Sequence, residues 1–161
     1  MITTKSDREL TLMREAGRIV AIAHQAVAKA IKPGISTAEI DTIVEAVILS
    51  HQATPSFKGY GGFPAATCVS INDTLVHGIP DSTQLQEGDI VSVDIGANYK
   101  GYHGDSAWTY GVGQISDEAQ RLMDVTRDSL FEGLKQVKAG VHLGDVSAAI
   151  GNYVYDHGYS V

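Results

Sequence analysis

A single cysteine, Cys68, occurs in the 161 residues, so no internal disulfide can form and a reducing compartment is the natural home. No stretch approaches about 18 consecutive apolar residues, so nothing reads as a membrane-spanning helix. The opening segment Met1-Ile2-Thr3-Thr4-Lys5-Ser6-Asp7 lacks the apolar run and cleavage site of a secretory leader. Basic blocks are missing too. With a net charge of −7, neither nucleic acid nor an anionic membrane surface is expected as the main partner. Ser92 and Ser106 sit in no Gly-x-Ser-x-Gly elbow, which leaves serine hydrolysis unsupported. The glycine-rich stretch Gly59-Tyr60-Gly61-Gly62-Phe63 has no strand leading into it and no helix opening from it, unlike a phosphate loop or a dinucleotide fingerprint. These absences describe a soluble, cytoplasmic protein.

What is present is globular: 43% hydrophobic and 19% charged residues, enough chain for one domain with a real core. Ser6 and Glu9 have capping-box spacing, and Leu10, Met13, Ala16, Val20, Ala23 and Val27 follow a helical stripe, so a long helix is predicted over 6–31. Pro33-Gly34 ends it. Ser36 and Glu39 form a second box, and Ile40, Ile43, Val44, Val47 and Ile48 carry a second helix to about Ser50. A glycine-rich loop over 54–64 precedes short strands around Thr67–Ile71 and Leu75–His77. Ser116 caps a third helix predicted to about Lys138, and a fourth runs from Leu143 to His157.

The helical pairs repeat. Lys32-Pro33-Gly34-Ile35-Ser36 aligns with Lys138-Ala139-Gly140-Val141-His142 at an offset of 106, and the same offset takes His51 to His157. Glycine-rich loop and strands follow the first copy, whereas the sequence given stops at Tyr159-Ser160-Val161. The pattern leads us to expect a single catalytic-type domain over 1–161, cut short on its C-terminal side and amounting to about two-thirds of a pseudo-symmetric α+β protein. The alternative is a small domain that ends in a helix, with open sheet edges that would leave it marginal.

Chemistry concentrates on the segment from Ile90 to Tyr110. Asn98 and Gly101 are turn residues. Pairing them in a hairpin sets Asp94 directly opposite Asp105, with Cβ atoms about 5 Å apart. Carboxylates so placed share a proton or hold cations. A turn of different length would send them to opposite faces. His103, two residues before Asp105, shares its face and could orient a ligand there, or be an ordinary strand-end histidine. His77 precedes Gly78, where a loop histidine is the commoner reading. Tyr60 and Phe63 could wall an apolar pocket or simply tuck into a surface loop.

Taken together, Gly59-Tyr60-Gly61-Gly62-Phe63-Pro64, Cys68-Val69-Ser70-Ile71-Asn72-Asp73, Val76-His77-Gly78-Ile79-Pro80, Gly88-Asp89-Ile90-Val91-Ser92-Val93-Asp94 and His103-Gly104-Asp105 resemble the bacterial type I methionine aminopeptidases, over essentially the whole chain from Thr4. The resemblance implies the pita-bread fold, an antiparallel sheet flanked by helices in two related halves, of which the second is incomplete here. It implies two divalent metal ions (cobalt, manganese, iron or zinc) and removal of the initiator methionine from nascent polypeptides, encountered at the ribosome, by a protein that is monomeric when intact. Carried over, Asp94 chelates one metal, Asp105 bridges both, and His77 contacts substrate near the scissile bond. Tyr60, Phe63 and Cys68, with Phe57 at the edge, line the methionine pocket. The family's remaining ligands, a His and two Glu, and a second active-site His fall after the equivalent of Val161, so the chain as given is expected to be inactive. Two other readings stand beside this one: a prolidase or proline-specific aminopeptidase relative, and a pita-bread module that binds without catalysis.

Overall fold

The computed structural model describes residues 3–161; Met1 and Ile2, at the head of the opening segment, lie outside the described residues. The chain forms two compact units, one to Ile115 and one from Ser116.

The first unit begins with two helices, α1 (Asp7–Ala30) and α2 (Thr37–Ser50), both opened by the capping boxes legible in the sequence. Ser6 N–H donates to the Glu9 carboxylate at 2.7 Å and Glu9 N–H donates back to Ser6 Oγ at 3.4 Å. Each such cap is worth about 1 kcal/mol. A second bond, from Tyr102 Oη to the same carboxylate at 2.9 Å, ties the start of α1 to the sheet. These hydrogen bonds hold the Glu9 carboxyl at about 2, far below its ordinary value.

Four strands follow: β1 (Thr54–Pro55), β2 (Thr67–Ile71), β3 (Ile90–Tyr99) and β4 (Tyr102–Gly111). All pairings are antiparallel, with β3 central; β1 and β2 pair with it in turn, and β4 joins it in a hairpin. Alternation along β3 decides which face is which. Val91, Val93, Ile95 and Ala97 are fully buried against Ile19, Val20 and Val27 of α1 and Ile40, Val44 and Ile48 of α2. Burial of each large side chain contributes roughly 1.5–3 kcal/mol. Ser92, Asp94, Gly96 and Asn98 alternate with them and point to the other face.

The hairpin turn falls one residue later in the chain than the sequence reading had it. Tyr99 pairs with Tyr102, and the two-residue loop Lys100-Gly101 has φ of +50° and +88°. Positive φ at both positions is the turn that matches strand twist, and glycine takes it without strain. Asn98 closes it by accepting the Gly101 N–H at 2.9 Å. Asp94 therefore lies opposite Ala107 and Asp105 opposite Gly96, a diagonal pair and not the direct pair expected. A shift of two residues preserves the face, so both still project from the same side.

Leu75–His77, expected as a strand, is irregular. Asn72 and His77 both take left-handed φ, at +50° and +59°, which breaks extended pairing, and Leu75 is 87% exposed.

The second unit is a helix pair, α3 (Asp117–Leu134) and α4 (Leu143–Asp156). The third helix stops four residues short of Lys138 because its last turn tightens: Gln136 N–H reaches Gly133 O and Val137 N–H reaches Leu134 O. The repeat holds in detail. Gly34 and Gly140 turn their pairs at φ of +91° and +90°. His51 Nδ1 bonds Val47 O at 2.9 Å, and His157 Nδ1 bonds Tyr153 O at 2.7 Å.

Candidate metal and substrate site

The second sheet face gathers Asp94, Asp105, Cys68 and His77. Cys68 lies opposite Asp94 on β2 and shares its face. Burial raises the Asp94 carboxyl above its ordinary value. The neighbouring Asp105 carboxyl pushes it further, while His77 and the Ile95 N–H pull it back. A like charge so near disfavours the ionised form of Asp94.

Cys68 is 5% exposed. Its thiol is pushed up to about 11, first by burial and then by the charges of Asp94, Asp105 and Asp41, so it stays neutral. His77 reaches this face through its neighbour. Gly78 runs against β2, accepting the Val69 N–H at 2.9 Å and donating to Ser70 Oγ at 3.2 Å. A Cβ on Gly78 would sit 2.1 Å from Val69 O. Only glycine lets the backbone come this close, and the left-handed φ of His77 is held by that contact.

Phe57 lies over Gly96: a Cβ there would meet the Phe57 ring at 2.7 Å, and Ser56 N–H donates to Gly96 O at 2.9 Å. Phe63 is half-buried, and its carbonyl accepts the Gly59 N–H, closing the glycine-rich loop. Tyr60 is 83% exposed on the turn Tyr60–Gly62. His103 shares the face of Asp105, but its ring bonds Ser56 Oγ at 2.9 Å. Sequence reasoning missed Asp41 and Thr67. The Asp41 carboxylate accepts the Ala66 and Thr67 N–H groups, and the Thr67 hydroxyl donates to the Asp94 carbonyl. A lone acidic residue on a helix looks like any solvated one, so no signal in the sequence could have singled it out.

The profile of metallopeptidase family M24 matches residues 11–161. The chain belongs to that family. It is 56% identical to methionine aminopeptidase 1 of Bacillus subtilis over its whole length, which is 65% of that relative. The crystal structure of a methionine aminopeptidase from Thermotoga maritima superposes with a TM-score of 0.98 at 43% identity, again covering all of this chain and 65% of the other. An Xaa-Pro dipeptidase from Bacillus anthracis follows at a TM-score of 0.86 and 28% identity, covering 96% of this chain and 42% of that one. The fold is thus the pita-bread fold expected, and the chain spans about 65% of the length of the curated relatives it matches.

Membership in M24 implies use of divalent metal. The residues present fit in part. Two neighbouring carboxylates on one face are what a divalent cation neutralises. Among the described residues, however, no group of three His, Cys, Asp or Glu side chains could hold an ion.

The carboxyl pair has a consequence for stability. Asp94 is raised in the folded chain, so its penalty is full above that raised value and disappears as pH falls through it. Asp105→Asn should therefore stabilise the metal-free chain at pH 7 by about 0.5 kcal/mol, the scale of a like-charge cross-strand pair, kept small because Asp105 is exposed. The advantage should shrink toward pH 4. Urea midpoints of both proteins across that range check it, and a variant less stable at pH 7 would contradict it.

Proposed function

We propose that this face is the carboxylate part of a two-metal centre for removing the N-terminal methionine from nascent polypeptides. The observation that carries the reading is the Asp94–Asp105 pair, diagonal neighbours on one face of the β3–β4 hairpin, with His77 near Asp94. Asp94 and Asp105 would be the residues of this chain that hold the divalent metal. Carboxylate and imidazole donors admit cobalt, manganese, iron or zinc alike. When bound, the ions lower the pKa of water and polarise the scissile carbonyl. His77 donates to the peptide near that bond. Phe57, Phe63, Tyr60 and the neutral thiol of Cys68 receive the methionine side chain, whose thioether favours apolar and aromatic surroundings. The two compact units act together as one catalytic domain. The setting is a cytoplasmic monomer that meets its substrate as it leaves the ribosome, without contacting nucleic acid or membrane.

The identity of 56% with a methionine aminopeptidase, against 28% with an Xaa-Pro dipeptidase, favours methionine over proline specificity. The test is a chimera in which this chain is followed by the remaining third of the Bacillus subtilis relative. Loaded with manganese or cobalt, it should release methionine from Met-Ala peptides and leave Xaa-Pro dipeptides intact. Cleavage of Xaa-Pro alone would overturn the substrate assignment.

The 161-residue chain by itself should release no methionine from the same peptides, even with excess metal, because two carboxylates leave most coordination positions to water. Robust, chelator-sensitive release from a monomer would show that these residues complete a site unaided.

A further inference from the structure

Helix α2 grips both ends of the glycine-rich loop. At its start, Lys58 Nζ donates to Glu45 Oε1 at 2.7 Å and Oε2 at 2.9 Å. That pair is exposed, which makes it a weak tether. At its end, Asp41 Oδ1 accepts the Ala66 N–H at 2.8 Å and the Thr67 N–H at 2.9 Å. Two backbone donors converging on one carboxylate oxygen form a charge-assisted anchor. The chain beyond it is the site itself: the Thr67 hydroxyl bonds the Asp94 carbonyl, and the next residue, Cys68, lies opposite Asp94. Asp41 is half-buried. Burial pushes its carboxyl up and the Thr67 and Ala66 N–H groups pull it down, so the anchor carries a desolvation cost that a solvated helix residue would avoid.

We propose that Asp41 is a positioning residue of the substrate-binding face: by holding the Ala66 and Thr67 amides it fixes where the loop enters β2, and with it the place of the Cys68 thiol beside Asp94. The methionine-pocket meaning of this rests on the function proposed above; the geometric claim does not.

The experiment is alkylation of Cys68 by iodoacetamide in the 161-residue chain at pH 8, comparing the unaltered protein with Asp41→Asn and Asp41→Ala. Both variants lose the negative charge that helps hold the thiol proton. Only asparagine keeps an acceptor oxygen in reach of the two amides. Asp41→Ala should react at least about ten-fold faster, the scale of losing a hydrogen bond to a charged group, while Asp41→Asn stays close to the unaltered protein. Equal acceleration in both variants would reduce the effect to charge and overturn the proposal, as would no acceleration in Asp41→Ala. Should Asp41→Ala fail to fold by circular dichroism, hydrogen exchange in the unaltered protein decides instead. The Ala66 amide should be protected at least about ten-fold over that of Gly61; equal exchange would overturn the proposal. A methionine-inactive chimera with the expected alkylation pattern would break the functional reading and leave the role of Asp41 standing.

Discussion

In the chimera, His77→Ala should lower methionine release from Met-Ala peptides by roughly 100- to 10,000-fold, the range of a lost proton-handling or charge-stabilising contact, with metal content unchanged. His77 lies near enough to influence Asp94, yet it belongs to a loop and not to the sheet that carries the two carboxylates. A residue that held metal would lose metal when removed; a residue that contacts substrate would lose turnover alone. Metal analysis alongside kinetics separates the two, and normal turnover would refute the assignment. The backbone supports a dedicated role. A left-handed histidine costs about 1–3 kcal/mol, and the Gly78 contact with β2 is what keeps it there.

The second large effect is on folding. Gly104 of β4 lies against the backbone of α1: a Cβ there would fall 2.5 Å from Gly17 N and 2.6 Å from the Ala16 carbonyl carbon. Neither is a side chain that can swing away, so α1 or β4 must shift. Gly104→Val should destabilise the chain by about 3 kcal/mol or more. Gly17 is in the same contact, but a Cβ on it meets nothing within 4 Å. Gly17→Ala should stabilise by about 0.5–1 kcal/mol through helix propensity alone. Two touching glycines with opposite signs in a urea titration are the expected result. A neutral Gly104→Val would mean that the helix does not sit on the hairpin as described.

The helices were legible because their signals are local. Ser6 with Glu9, and Ser36 with Glu39, are spacings that hydrogen-bond within one turn, and the apolar stripes need no distant partner. The matching glycines at 34 and 140 marked the repeat, since left-handed turns at those points demand that residue. The hairpin was legible in its face but not in its register. Lys100 gave no hint that it would take positive φ, so the turn was placed one residue too early in the chain. Leu75-Val76-His77 has strand composition, but the glycine after it locks the segment onto β2 in a way composition cannot display. Asp41 was invisible for the same reason: its partners are backbone amides 25 and 26 residues away.

The central claim, that Asp94 and Asp105 form the metal-binding face, is tested most directly by manganese titration of the purified chain and of Asp94→Asn and Asp105→Asn, followed by calorimetry or by the spin signal of free ion. Weak binding to the unaltered chain, reduced at least about ten-fold in either variant as expected when one of two charged ligands is removed, is the predicted result. Binding of equal strength in all three proteins would contradict it.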